Sequence, residues 1–453
     1  MDVHMVETEE LGDRSYIVHE DGEAVVIDPQ RDIDRFEDAL DRLGVTCRLV
    51  LETHLHNDYV SGGSELARRT GAVYGVPGGH DVTVDHKPVG DGDQLEAGPL
   101  RVRVVGTPGH TDEHVSYLVD NGSGTPAVFS GGSLLYGSVG RTDLVDPART
   151  EELTRRQFHS ARRLADEAPA DAPLYPTHGF GSFCSSGAAT GGDTSTIGNE
   201  QQRNDAFTAA DEDSFVERLV AGLSAYPRYY AHMGAFNRAG APAIDLSPPE
   251  PVDAHTLRQR LEAGEWVVDL RSWTAYAADH LAGTVSIGLA KQFATYVGWL
   301  MPWGERLTLI GDDPGQVTEA QRQLVRIGID RPHGAAVGTL AELADGVEHR
   351  GYPRATFADL AAEPNAAVLD VRRHDERASA YLPGSCHLPL HDLLDKIHTL
   401  PEGTLWVHCA SGYRASIAAS LLERAGRSVV LVDEDFTNAV GVEQPPSRLG
   451  RLR

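Results

Sequence analysis

Thr53-His54-Leu55-His56-Asn57-Asp58-Tyr59 is the stretch around which this chain is organised. It follows an apolar run, Leu49-Val50-Leu51, that reads as a buried strand, and it precedes a Gly-rich entry into a helix. Residues two apart on extended backbone face the same side, so His54 and His56 can reach one metal ion, and Asp58 shares their facing. Other segments carry the same chemistry. His110 sits in Thr107-Pro108-Gly109-His110-Thr111, a tight turn after the strand-like Leu100–Val105. His178 sits in Tyr175-Pro176-Thr177-His178-Gly179, again a strand end meeting a turn. Strand ends are where α/β folds build their sites.

The His-x-His-x-Asp string, followed by the later histidines, resembles the metallo-β-lactamase superfamily over the first half of the chain. The resemblance implies a four-layer αβ/βα sandwich with the metal site at one edge of two packed sheets. It also implies a first metal position made by His54, His56 and His110, and a second that uses Asp58 and His178. Two positions depart from that pattern: Tyr59 stands where the family has a histidine, and Gly132 where it has an aspartate. One metal ion at most is therefore expected, and a carboxylate restored at position 132 should tighten its binding.

Around this stretch, Ser15–Val18, Glu23–Asp28, Arg48–Leu51, Val115–Val119 and Ala127–Ser130 read as strands. Ile33–Leu43, Gln157–Ala165 and Phe215–Leu223 have helical apolar spacing. The apolar period disappears between Gly179 and Asp213, where Gly, Ser, Thr and Asn crowd Ser182–Asn199; this reads as a loop, flexible or packed over the site. Prolines at 242, 248, 249 and 251 mark a linker. The fold is read as α/β, with a metal-binding sandwich over residues 1–245 and two further α/β domains over 252–348 and 354–453.

Those two domains repeat one pattern. Trp266-Val267-Val268-Asp269-Leu270-Arg271 and Ala367-Val368-Leu369-Asp370-Val371-Arg372 each close an apolar strand with Asp-x-Arg, and each is followed by a Gly turn and a second buried strand. The second copy continues as His408-Cys409-Ala410-Ser411-Gly412-Tyr413-Arg414 and then into a helix. A cysteine there meets inward-turned backbone N–H groups and a helix N-terminus, which favour its thiolate. By register the first copy has Gly311, followed by Asp312 and Asp313, at the cysteine position, so that copy reads as a structural spacer. Both copies resemble rhodanese domains, which implies that Cys409 accepts sulfur and carries it as a persulfide, with Ser411, Gly412, Tyr413 and Arg414 holding the anion. Cys184, six residues after His178, reads as either a loop thiol or a group near the metal, and Cys386 as a packed one.

The combination resembles the persulfide dioxygenase group of sulfur enzymes, and Gly137–Leu144 resembles that group's signature. This implies one Fe(II), with Zn(II) as the alternative, and a thiol persulfide or thiosulfate as substrate. It also gives Arg141 a place at the substrate; the other reading of Arg141 and Asp143, a local salt bridge that fixes a turn, is compatible with it. A glyoxalase II-like zinc hydrolase needs the same fold, and a sulfurtransferase running on Cys409 alone, with the first half as scaffold, is the remaining reading.

A formal net charge of −27 repels nucleic acid and anionic membrane. Acid excess with only three lysines (Lys87, Lys291 and Lys396) resembles proteins of a salt-accumulating cytoplasm. The start, with acidic residues where a signal peptide needs basic ones, and four cysteines without framework spacing agree with a cytoplasmic, reduced protein, monomeric or homo-oligomeric. Self-repulsion is screened when the Debye length falls to about 3 Å near molar salt. The melting temperature is therefore expected to rise steeply with potassium chloride. A flat melting temperature from dilute to molar salt would remove the saline reading.

Overall fold

A computed structural model of the chain describes residues 1–78, 81–187, 192–290 and 292–444. Residues 188–191 of the expected loop, Lys291 and the last nine residues of the expected third domain lie outside the described residues. The chain forms two compact units: Met1–Asp245 with Arg322–Asp330, and Leu246–Gln321 with Arg331–Arg453.

In the first unit, strands alternate their side chains between two faces, and this builds the layers. The strands Asp2–Thr8, Asp13–Glu20, Glu23–Ile27, Thr46–Leu51, Val73–Pro77 and Lys87–Val89 lie side by side in that order in one six-stranded sheet. Tyr16, Val18, Val25, Ile27, Leu49 and Leu51 pack in one cluster with Val102, Val104, Tyr117, Val119 and Phe129 of the second six-stranded sheet. The alternate residues Ile17, Val26 and Val50 meet Phe36 and Leu40 of the helix Asp34–Leu43. On the second sheet, Leu118, Val128 and Leu174 face Phe158, Ala161 and Leu164 of the helix Thr150–Glu167. The order helix, sheet, sheet, helix is the sandwich expected from the sequence.

The stretch after His178 departs from the expected loop. Ser195–Thr196 is a short strand, and Ile197–Arg203 and Asp205–Thr208 are helices. Side-chain caps at Thr196 and Asn204 start them, and Glu200 and Asn204 are buried. Short capped helices of this kind show no apolar period. Arg322–Asp330 joins this unit through a buried ion network. Asp32 accepts from Arg326 at 2.8 Å and is paired with Arg35 at 2.8 Å, while the Val60 N–H donates to the Arg326 carbonyl at 2.8 Å.

In the second unit the two copies share four strands in one order, and the second copy adds Arg354–Ala355 at the edge. Trp266–Asp269 lies between Val285–Ser286 and Leu307–Gly311, with Gly334–Val337 outside. Ala367–Asp370 lies between Cys386–His387 and Leu405–His408, with Val429–Val432 outside. Each Asp-x-Arg forms a buried fork: Arg271 on Asp269 at 2.6 Å and Arg372 on Asp370 at 2.7 Å. Asp269 pairs with Ile310 and Asp370 with His408, so Gly311 does occupy the position of Cys409.

Candidate metal centre and cysteine loop

The strand Thr46–Leu51 ends at Glu52 and delivers His54, His56 and Asp58, all buried, to the edge of the sandwich. The His54 ring is the hub. Its centroid lies 4.1 Å from that of His56, 4.8 Å from His110, 4.9 Å from His114 and 5.3 Å from His178.

Oxygens behind the rings fix which nitrogens carry lone pairs. The Thr53 hydroxyl donates to Asp28 Oδ2, so it accepts from His54 Nδ1–H at 2.9 Å and leaves His54 Nε2 bare. The Arg141 carbonyl accepts from His110 Nδ1–H at 2.6 Å and leaves Nε2 bare. Asp13 accepts from His178 Nδ1–H at 2.8 Å, and Asp58 stands 3.2 Å from the same atom. His56 Nε2 lies 3.2 Å from both Asp28 and Glu52, which leaves Nδ1. His56 Nδ1, His110 Nε2, Asp58 Oδ1, Asp13 Oδ2 and Glu52 Oε2 are buried without a hydrogen-bond partner. His54 Nε2 and His178 Nε2 stand 3.3 Å apart, close enough for a protonated His178 to donate to His54 and close enough for both nitrogens to reach one cation once that proton leaves. A divalent ion fits this donor set.

Ligand atoms of His54, His56 and His178 lie within 4.8 Å of one another, as do those of His110, His178 and Cys184, and those of Asp13, Asp58 and His178. The structure thus brings His178 to the side of His54 and His56, and groups His110 with His178 and Cys184. Asp28, Glu52, Asp13 and His114 were not singled out in the sequence. Asp28 carried a signal in its strand-end position before Pro29; its backbone φ of +52° is a strained value for a residue with a side chain. His114 is not a donor to a metal, because its Nε2 accepts from the Gly132 N–H at 2.9 Å and its Nδ1 meets Thr107 at 2.9 Å.

Charge in this pocket is divided between the rings. Burial lowers the affinity of His56 for a proton, but the Asp28 and Glu52 carboxylates outweigh it and raise the pKa to about 9. Burial, helped by His178, lowers His110 to about 4. Burial, then the neighbouring Asp58, pushes Asp13 up to about 7. A metal ion bound at His56 must displace a proton there, so binding releases protons. Metal affinity is therefore expected to rise from pH 6 to about pH 9, where the His56 proton leaves. Chelator competition at pH 6, 7.5 and 9 checks this, and a pH-independent affinity would exclude His56 as a ligand.

Two expectations are corrected here. A Cβ on Gly132 would lie 2.3 Å from His110 Cδ2 and 2.8 Å from its Nε2, in a ring already anchored on Arg141. Gly132→Asp is therefore expected to expel His110 and weaken metal binding about tenfold or more, measured by chelator competition. Arg141 is buried, and its guanidinium is committed to the protein: a two-pronged pair with Asp143 at 2.7 and 2.8 Å, Phe183 O at 3.0 Å and Ser224 O at 2.7 Å. It braces the site instead of meeting substrate.

Cys409 lies at the end of Leu405–His408, and its sulfur accepts the Gly412 N–H at 3.2 Å. Gly412 has φ +97°, and a Cβ there would lie 2.4 Å from Asp433 Oδ1, so the turn that aims this N–H requires glycine. Ser411 is exposed. The Tyr413 hydroxyl donates to Gly288 O at 2.9 Å, so it holds the loop and not an anion. Arg414 is forked onto Glu376 at 2.5 and 2.7 Å and opens on a small cavity. Tyr296, Trp299 and Leu300 line that cavity together with Arg373 and His391. Tyr296, Trp299 and Leu300 belong to the buried helix Phe293–Leu300 of the first copy, which therefore packs beside Arg414 of the cysteine loop and is more than a spacer.

Comparison with known proteins agrees with this geometry. A family model described as the Metallo-beta-lactamase superfamily matches residues 11–178, and one described as Rhodanese-like domain matches residues 354–440. A hydroxyacylglutathione hydrolase of Hahella chejuensis is 33% identical over 167 residues, 36% of this chain and 60% of that protein. The mitochondrial persulfide dioxygenase ETHE1 of Homo sapiens is 26% identical over 204 residues, 45% of this chain and 72% of that protein. The chain spans about 60% of the length of the hydrolases it matches. A metallo-beta-lactamase structure from Staphylococcus aureus aligns with TM-score 0.67 at 29% identity, over 75% of this chain and 99% of that one. No helix among the described residues is long and apolar enough to cross a membrane. The chain carries a metallo-beta-lactamase superfamily domain followed, toward its C-terminal end, by a rhodanese-like domain.

Proposed function

We propose that the protein is an enzyme of sulfur metabolism that oxidises a thiol persulfide at one metal ion and transfers sulfur through Cys409. The observation that carries this reading is the presence, in one chain, of a buried four-imidazole pocket and a cysteine loop built to hold a sulfur anion. The balanced reaction takes R–S–SH, dioxygen and water to R–SH and sulfite with release of two protons. His54, His56 and His178 would hold the metal, with His110 beside them, and Fe(II) suits this set better than Zn(II) for a reaction with dioxygen. When bound, the metal supplies a site at which sulfur and dioxygen are brought together.

The chain's own residues do the rest. Thr53, Arg141, Asp13 and the Asp28–Glu52 pair hold the rings in one tautomer each, so that lone pairs point inward. Asp58 Oδ1, buried and unpartnered, is placed to accept a proton from a persulfide entering the pocket. At the second site Cys409 attacks the outer sulfur of thiosulfate. The S–S bond breaks, sulfite leaves with the electron pair, and the sulfur stays as a cysteine persulfide cradled by the Gly412 N–H.

The test is sulfite formation and oxygen uptake by the iron-loaded protein with glutathione persulfide. One sulfite per dioxygen supports the reading; a loaded protein that consumes no oxygen but hydrolyses a glutathione thioester replaces it with the hydrolase. The comparisons give that second reading weight, since hydroxyacylglutathione hydrolases are prominent among the relatives.

A further inference from the structure

We propose that Cys184 is an anionic ligand of the metal ion, binding with His110 and His178 and supplying the charge that position 132 lacks. The inference rests on the metal-site reading above. Its geometry is independent of the His54–His56 string.

Cys184 is buried, and its sulfur lies within 4.8 Å of the ligand atoms of both His110 and His178. The second observation is His110. Its Nδ1–H is given to the Arg141 carbonyl, and its bare Nε2 is fully buried with no partner. An imidazole held in one tautomer, a thiol and a second imidazole that converge in a buried pocket are a ligand set for a borderline-soft cation.

The local structure is built to hold the sulfur there. Arg141 pins both ligands at once: its carbonyl takes His110 Nδ1–H, while its own N–H donates to the Cys184 carbonyl at 2.9 Å. Its guanidinium holds Phe183 O at 3.0 Å. The Cys184 N–H donates to Ser182 Oγ at 3.2 Å, and that hydroxyl reaches Asp58 Oδ2 at 3.4 Å. Arg141, Ser182 and Asp58, on three segments, thus fix the loop that carries Cys184.

The charge argument runs the same way. The superfamily resemblance assigns a carboxylate to position 132, but the His110 ring occupies the space into which a side chain at Gly132 would project. A thiolate at Cys184, beside His110 and His178, would give the ion one negative ligand. On binding, the S–H bond breaks, a sulfur–metal bond forms, and the proton is released from the site.

The experiment is cobalt titration of the metal-free full-length chain, followed by absorption in the near-ultraviolet, where thiolate-to-cobalt charge transfer appears. We expect one equivalent of cobalt, a charge-transfer band in wild type and in Cys409→Ser, and no band in Cys184→Ser, with cobalt bound about tenfold more weakly or worse. Cobalt bound without the band, or a band that survives in Cys184→Ser, overturns the proposal and leaves the metal-site reading in place. A chain that binds no cobalt overturns both. Should Cys184→Ser fail to fold by circular dichroism, the chain carrying Cys47→Ser, Cys386→Ser and Cys409→Ser together decides: a band there has only Cys184 as its source, and its absence overturns the proposal.

Discussion

Cys409→Ser is expected to abolish thiosulfate-dependent sulfur transfer, by about a thousandfold or more, while the metal content stays at the wild-type value. The serine keeps the volume and the Gly412 N–H contact but cannot form a persulfide, so the loss reports chemistry and not folding. Among the described residues, the groups that could hold a metal all belong to the first unit, and the two activities should therefore separate in one variant. Retention of most of the transfer activity would mean that Cys184 or Cys386 carries the sulfur, and the loop reading would fall.

The other large effect belongs to His54. Its ring touches every other imidazole of the pocket, and His54→Ala is expected to empty the site of metal and abolish sulfite formation. His114→Ala is the matching control. That ring also stacks on His54, but both its nitrogens are engaged within the protein. It should keep one metal per chain and lose about 1–3 kcal/mol of stability from the orphaned Gly132 N–H. Metal analysis and urea melts of both variants check this pair. Loss of metal in His114→Ala would show that the tautomers have been assigned wrongly.

These contrasts mark where the sequence was legible. Strict spacing, as in His54-x-His56-x-Asp58 or in the repeated Asp-x-Arg, projects onto a strand and survives folding unchanged. The same holds for the alternation that splits Ile17, Val26 and Val50 from Tyr16, Val25 and Leu49. What escaped was anything set by contact across the fold. Asp13 and Asp28 hold His178 and His56 from other strands, and no local pattern announces them. Position 132 read as a simple loss of a ligand, because only the structure places the His110 ring in that space. Arg141 read as a substrate contact, because its acceptors at Phe183 and Ser224 lie some forty and eighty residues away in sequence. The first copy's helix, Phe293–Leu300, is apolar all round, which spacing cannot distinguish from an ordinary core helix.

The inclusion of Arg322–Asp330 in the first unit sets an order on the protein's birth. Chains fold as they leave the ribosome, at about 5–20 residues per second, and the earlier domain ordinarily closes first. Here, the loop that carries His54 and His56 ends on an N–H, that of Val60, whose acceptor is made only when Arg326 is translated. About 85 residues separate Asp245 from Asp330, so the metal pocket waits roughly 4–17 s for its last segment at those rates. During that interval Asp32 has no Arg326 beside it. Metal loading is therefore expected to come late, into a chain whose second unit is already emerging.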